Sequence, residues 1–328
     1  VSVTLDDIHA ARERIKGHAR VTPLLSSPFL DEIAGKRVLV KPECLQITGS
    51  FKYRGARSAL SALDTETRAK GVIAFSSGNH AQGVAQAARD FGVPAVIIMP
   101  SDAPALKLAN TRALGAEVVT YDRAGEDRDA IGASLAQERR LTLIKPFDDP
   151  RVIAGQGTVG LEIAEQATAL GVTEAAVLIP CGGGGLTSGT ALALSDAAPK
   201  MRVHPVEPEG FDDVARSLAS GHHEVNTRLS GSLCDAIITP SPGKLTLPLM
   251  LAHCGPGLTV TETQVLDAMA QAFLRLKLVT EPGGAVALAA ALHHADQTEA
   301  ETVIAVVSGG NVDPDIFTQA LATLSPAE

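Results

Sequence analysis

A lone lysine opens a helical pattern where a cation is out of place. In Gln46-Ile47-Thr48-Gly49-Ser50-Phe51-Lys52 a small polar run meets a phenylalanine, and the amphipathic stretch from Tyr53 to Leu60 follows at once. The first turn of a helix carries unpaired N–H groups and the positive end of the macrodipole, so Lys52 is mildly unfavourable there. Its amine is either simply solvated or kept for chemistry.

Three further junctions combine residue types suited to ligands. Ala176-Val177-Leu178-Ile179-Pro180-Cys181 runs into Gly182, Gly183, Gly184 and Gly185 and then into an apolar helical pattern. Consecutive glycines let several backbone N–H groups converge, and the helix N-terminus adds its dipole, which makes a cradle for a phosphate. A flexible linker would be flanked by polar sequence instead. The run lacks the Gly-Lys-Ser/Thr of a P-loop and the GxGxxG spacing of a dinucleotide site, so a group other than ATP or NAD is expected to carry the phosphate. In Phe75-Ser76-Ser77-Gly78-Asn79-His80 the hydroxyls, the amide and a helix start suit a carboxylate or carbonyl oxygen, although Ser and Asn also cap helices for purely structural reasons. Ser308-Gly309-Gly310-Asn311 ends a late apolar run, and alone it would read as a turn.

The elements that hold these junctions alternate. Apolar runs at Arg37–Glu43, Gly71–Ser77, Pro94–Pro100, Glu117–Asp122, Leu141–Phe147, Ala175–Cys181, Met201–Pro208 and Thr302–Gly310 are interleaved with Ala-rich amphipathic stretches. That is the pattern of βαβ units around parallel sheets, and the class is α/β. The expected organisation is a large lobe from residues 1–70 and 149–328, with residues 71–148 inserted as a smaller lobe. Ligands in such sheets bind at the carboxyl ends of strands, where all of these junctions lie.

Composition narrows the partners. The net charge of −9, without a basic tract or interleaved aromatics, excludes a phosphate-backbone surface and so a nucleic-acid partner. No apolar run reaches the ~18 residues of a membrane span and the start lacks a signal-peptide pattern, so a cytoplasmic protein without membrane attachment is expected. Cys44, Cys181, Cys234 and Cys254 lie far apart, as reduced and mostly buried thiols would.

In their order along the chain, T-G-S-F-K-x-R-G, S-S-G-N-H, the four glycines and S-G-G-N resemble the fold-type II pyridoxal-phosphate enzymes, nearest to the serine/threonine dehydratase and serine racemase group. The resemblance runs from about Arg20 to Asp313 and implies a tryptophan synthase β-like two-lobe fold. It also implies pyridoxal 5'-phosphate as cofactor, an amino acid as substrate and a homodimer. It gives Lys52 the role of the amine that condenses with the cofactor aldehyde and later removes the α-proton. Phe51 would pack by the cofactor, Asn79 bond its phenolic oxygen, Gly182 to Gly185 hold its phosphate and Ser308 face its pyridine nitrogen. A serine there need not keep that nitrogen protonated, which favours loss of a β-substituent. Ser77 matches the second acid/base of the racemases, and Ser76, Ser77, Asn79 and His80 would meet the substrate.

The same resemblance gives Glu207, the Phe211 carbonyl and Asp213 to Mg²⁺, Ca²⁺ or Mn²⁺, since two carboxylates and a carbonyl suit a hard cation. An acidic helix start is the plainer reading of Asp212 and Asp213. Arg128 falls where racemase-like members hold a second carboxylate, with Thr239 nearby; a solvated helix arginine among Glu126, Asp127 and Asp129 is the alternative. No C-terminal regulatory domain is expected after Asp313. The expected activity is elimination of water from a β-hydroxy amino acid, giving a 2-oxo or imino acid and ammonia, with 3-hydroxyaspartate as substrate. L-threonine/L-serine dehydration or serine racemisation is the alternative, and a non-catalytic phosphate binder is disfavoured by Lys52.

Overall fold

The structure is a computed structural model that describes residues 2–76, 78–103, 105–122 and 125–324. Its strands are β1 (Leu25–Ser26), β2 (Arg37–Pro42), β3 (Val72–Phe75), β4 (Ala95–Pro100), β5 (Glu117–Tyr121), β6 (Thr142–Leu143), β7 (Ala175–Pro180), β8 (Met201–Pro208), β9 (Leu258–Val260) and β10 (Thr302–Val307). They form two sheets, ordered β1-β2-β10-β7-β8-β9 and β5-β4-β3-β6. Every pairing is parallel except β1 with β2. The smaller sheet is drawn wholly from residues 72–143.

All residues of β4 and β7 are buried, as expected for parallel strands covered by helices on both faces. β6 is shorter than its apolar run. Ile144 N–H still donates to Ile73 at 2.9 Å, but Pro146 has no N–H to extend the ladder. The stretch Asp64–Gly71 is more ordered than a simple break: Asp64 accepts from Thr67 N–H and caps the short helix Thr65–Ala69.

The helix Pro150–Ala169 packs against both Lys52–Ser61 and Gly185–Ala197, so three helices form one layer of contacts. A Cβ at Gly157 would stand 2.8 Å from the Gly189 carbonyl, and one at Gly160 would stand 2.7 Å from that of Thr190. Their backbones touch because no side chain intervenes.

The helix Lys52–Ser61 is also held by charge. Arg54 is 1% exposed, and its Nε donates to Glu43 at 2.7 Å, its Nη1 to Glu162 at 2.6 Å and its Nη2 to the Arg20 carbonyl at 3.0 Å. Lys41, wholly buried, donates to Glu162 and to the Thr22 carbonyl, both at 2.6 Å, and to Gln166 at 3.0 Å. Two cations and two carboxylates thus neutralise each other with their donors satisfied. Removing one partner of such a set leaves a buried charge uncompensated, at a cost of about 3–5 kcal/mol. Arg54→Ala is expected to lose that much in urea denaturation. Arg12→Ala, which breaks the exposed pair with Glu165, is expected to lose less than about 1 kcal/mol. Equal losses would remove the network's special role.

Candidate active site

A cavity of ≈ 250 Å³ opens where β3, β7 and β10 end. It is lined by Phe51, Lys52, Ser76, Asn79, His80, Gly182 to Gly185, Thr239 and Ser308, so strand-end residues from both sheets face one space. Phe147, Gln156, Lys107, Asp235 and Glu281 line it as well, and none of these stood out in the sequence.

Lys52 begins its helix directly after Phe51 and donates from Nζ to the Pro146 carbonyl at 2.9 Å. Burial lowers its pKa to about 8, against an opposing pull from Glu281. The neutral, nucleophilic amine is therefore accessible near neutrality. The loop before it is bent: Thr48 has φ 64°, a left-handed conformation that a β-branched residue rarely adopts.

The glycine loop is tied down from outside. Gly183 O accepts from Thr246 Oγ1 at 2.6 Å and from Gly243 N–H at 3.2 Å. Across a trans peptide the next N–H points the opposite way, so that of Gly184 is directed away from this contact. Gly184 itself has φ 89° and caps the helix Gly185–Ala197, while a Cβ on Gly183 would run into the Phe147 ring. In the first turn, Thr187 Oγ1 is buried without an oxygen or nitrogen partner. A glycine-rich helix start and a buried hydroxyl without an oxygen or nitrogen partner fit a phosphate.

Asn79 is oriented by a chain of amides. Asn311 Nδ2 donates to the Thr48 carbonyl at 2.8 Å and to Asn79 Oδ1 at 2.7 Å, which turns Asn79 Nδ2 towards Glu281 Oε1 at 2.6 Å. An amide nitrogen has two hydrogens, so a second remains for a ligand oxygen. Glu281 crosses Gly309, where any Cβ would overlap its carboxylate. Burial raises the Glu281 carboxyl to about 7 despite the hydrogen bond from Asn79. His80 donates from Nε2 to the Ile144 carbonyl, and burial lowers its pKa to about 3, so it is a neutral ring. Ser308 is 4% exposed; its carbonyl accepts from Phe51 N–H and its N–H donates to the Gly284 carbonyl, fastening the end of β10 to the lysine loop.

Two further sequence expectations are Ser77 and Arg128. Ser77 lies outside the described residues. Arg128 heads the helix Arg128–Arg139, is exposed, and does not line the cavity. That helix packs its apolar side, Ile131, Leu135 and Ala136, on the small sheet, which leaves its charged start at the surface.

The acidic pair stands apart, at the end of β8. Glu207 accepts from the N–H groups of Val214 and Ala215 at 3.0 and 2.7 Å, so it caps the helix Asp213–Ser220 from the strand. Asp213 Oδ1 accepts from Asn226, but Oδ2 is buried without a partner. Burial raises both carboxyls, and Asp213 adds to the effect on Glu207. An orphaned buried carboxylate oxygen beside a second carboxylate fits a hard cation. Among the described residues no group of three or more His, Cys, Asp or Glu is arranged as a metal site. The four cysteines are free, and burial raises their pKa values.

Residues 15–309 match the family described as pyridoxal-phosphate dependent enzyme. The chain belongs to that family. It is 43% identical to an L-threo-3-hydroxyaspartate ammonia-lyase from Pseudomonas sp, over 96% of this chain and 97% of that one. It superposes on the T.th. threonine deaminase with a TM-score of 0.89 and 46% identity, covering 94% of this chain and 99% of the other. For serine racemase from Dictyostelium discoideum the TM-score is 0.88 and the identity 38%, covering 95% and 100%. The α/β fold with parallel sheets is that of these family members.

Glu281 gives a test that needs no cofactor. A carboxyl at about 7 in the folded chain and 4.5 in the unfolded one contributes stability below pH 4.5 that is lost as pH rises through 7. The loss is on the order of 3 kcal/mol. In urea denaturation of cofactor-free protein, Glu281→Gln is expected to flatten this decline between pH 5 and 7. Parallel curves for the two proteins would show that Glu281 does not titrate there.

Proposed function

We propose that this chain is a pyridoxal-phosphate dependent ammonia-lyase that removes water from a β-hydroxy amino acid, with 3-hydroxyaspartate preferred. The observation that carries the reading is the Lys52 amine, buried and lowered to about 8, in one cavity with the glycine loop. The ammonia-lyase relative from Pseudomonas sp supports the substrate.

In this reading Gly182 to Gly185 and Thr187 would hold the cofactor phosphate, Lys52 would carry the covalent link, Asn79 would donate to the phenolic oxygen, and Ser308 would meet the pyridine nitrogen. Phe51 closes one side of the site. When bound, pyridoxal phosphate supplies an electron sink for a carbanion at the substrate α-carbon. Lys52 Nζ would be the base that takes the α-proton of the bound substrate. Ser76 and Asn79, at the start of the helix Asn79–Phe91, orient the substrate carboxylate with His80 as a neutral neighbour, and Thr239 borders the side-chain space. Ser77 is proposed as the second acid/base, which would permit racemisation beside elimination. The likeness to threonine deaminase favours threonine or serine as the alternative substrate.

Residues 71–148 are proposed to close over the substrate as a small lobe on the larger one, and the four free thiols suit the cytoplasm. Exposed Phe29, Ile33 and Phe273 favour a homodimer through the face where Arg275 lies 4.7 Å from the Phe29 ring. Glu207, Asp213 and the Phe211 carbonyl would hold Mg²⁺ or a similar cation as a structural brace on β8.

Ammonia release from serine, threonine and both diastereomers of 3-hydroxyaspartate tests the activity. The highest kcat/KM is expected on a 3-hydroxyaspartate, and no ammonia from any of the four would contradict the reading. For the cation, Mg²⁺ is expected to raise the melting temperature of the wild type and not that of Glu207→Ala. An EDTA-treated wild type indifferent to Mg²⁺ would remove the metal.

A further inference from the structure

Among the described residues that line the cavity, the cations are Lys52 and Lys107. Lys52 is committed to the cofactor in the reading above, and His80 is held neutral. Lys107 lies on the helix Ala105–Ala113 that follows β4, and its side chain is 21% exposed. Opposite it stands Asp235, on the short turn Asp235–Ile237, with 4.0 Å between Nζ and Oδ2. That separation is too long for a hydrogen bond. Asp235 is itself 75% exposed, so water screens the pair and the ammonium is weakly engaged.

We propose that Lys107 selects the substrate by receiving its second carboxylate, with Asp235 as the anion that this carboxylate displaces. The inference rests on the ammonia-lyase reading and adds the residue that recognises a diacid. A 3-hydroxyaspartate carries one carboxylate more than serine or threonine, so only the diacid gains by meeting an ammonium at this wall. The α-carboxylate is accounted for by the turn around Ser76 and Asn79. The remaining carboxylate needs a cation within the cavity, and Arg128 is outside the lining. Two carboxylates, Asp235 and Glu281, also face this space, so an approaching diacid is repelled unless Lys107 offsets them.

The test is a selectivity ratio measured on the cofactor-loaded enzyme. Lys107→Ala is expected to lower kcat/KM roughly tenfold to a hundredfold more on 3-hydroxyaspartate than on serine, mostly through KM, and Lys107→Arg is expected to restore much of the ratio. Asp235→Asn, which removes the competing anion, is expected to shift the ratio the other way. Lys107→Gln serves if the alanine variant does not fold. As a readout without turnover, succinate is expected to raise the melting temperature of the wild type more than that of the Lys107 variants. Equal losses on both substrates would overturn the role of Lys107 while leaving the ammonia-lyase reading intact. Loss of the ratio in Arg128→Ala and not in Lys107→Ala would overturn it in favour of Arg128. A wild type active on serine and threonine but not on 3-hydroxyaspartate would overturn the proposed substrate itself, and this inference with it.

Discussion

The lysine at the heart of the cavity depends on a neutralised knot of buried charge two residues away. Arg54 anchors the helix Lys52–Ser61 to Glu43 after β2 and to Glu162 on the helix Pro150–Ala169, while Lys41 completes the balance. Buried charges of this kind add little net stability compared with an apolar core, but they tolerate very few geometries. The direction in which Lys52 leaves its helix is set by that intolerance. The glycine contacts among the three helices add a second restraint, because backbones in contact have no side chains through which to slide.

From that fixed point the site is assembled by strand ends. β10 delivers Ser308 beside the lysine loop, β7 delivers the glycines, and β3 of the smaller sheet delivers Ser76 and Asn79. The polar partners join these corners across the sheets: Asn311 and Glu281 both lie on the larger sheet's side and both hold Asn79. Asn79 thereby reports on how the two sheets stand against each other, and Lys107 with Asp235 spans the same gap at its mouth.

Much of this was legible in the amino-acid order. The buried strands announced themselves as aliphatic runs, and Lys52, the four glycines and Ser308 sat at the junctions where ligands bind. The helix Pro150–Ala169 was not legible. Its glycines and β-branched residues have poor helix propensity, and only packing against the helices Leu5–Ile15, Lys52–Ser61 and Gly185–Ala197 overrides that preference. Glu281 looked like an ordinary residue before Pro282 at a helix start, and its meaning comes from a hydrogen bond to Asn79 across 202 positions of the chain. Glu207 was read as a metal ligand, but its capping of the helix Asp213–Ser220 could not be seen without the register of β8. The position of Arg128 was not legible for a related reason: a motif locates a residue in the chain, and the packing of its helix sets that residue at an exposed helix start.

The central claim is that Lys52, and no other amine, is the covalent seat of the cofactor. Borohydride treatment of the enzyme loaded with pyridoxal phosphate, followed by proteolysis and mass analysis, tests it directly. A phosphopyridoxyl group is expected on the peptide that carries Lys52 and none in Lys52→Ala. A label on another lysine, or unchanged labelling in that variant, would contradict it.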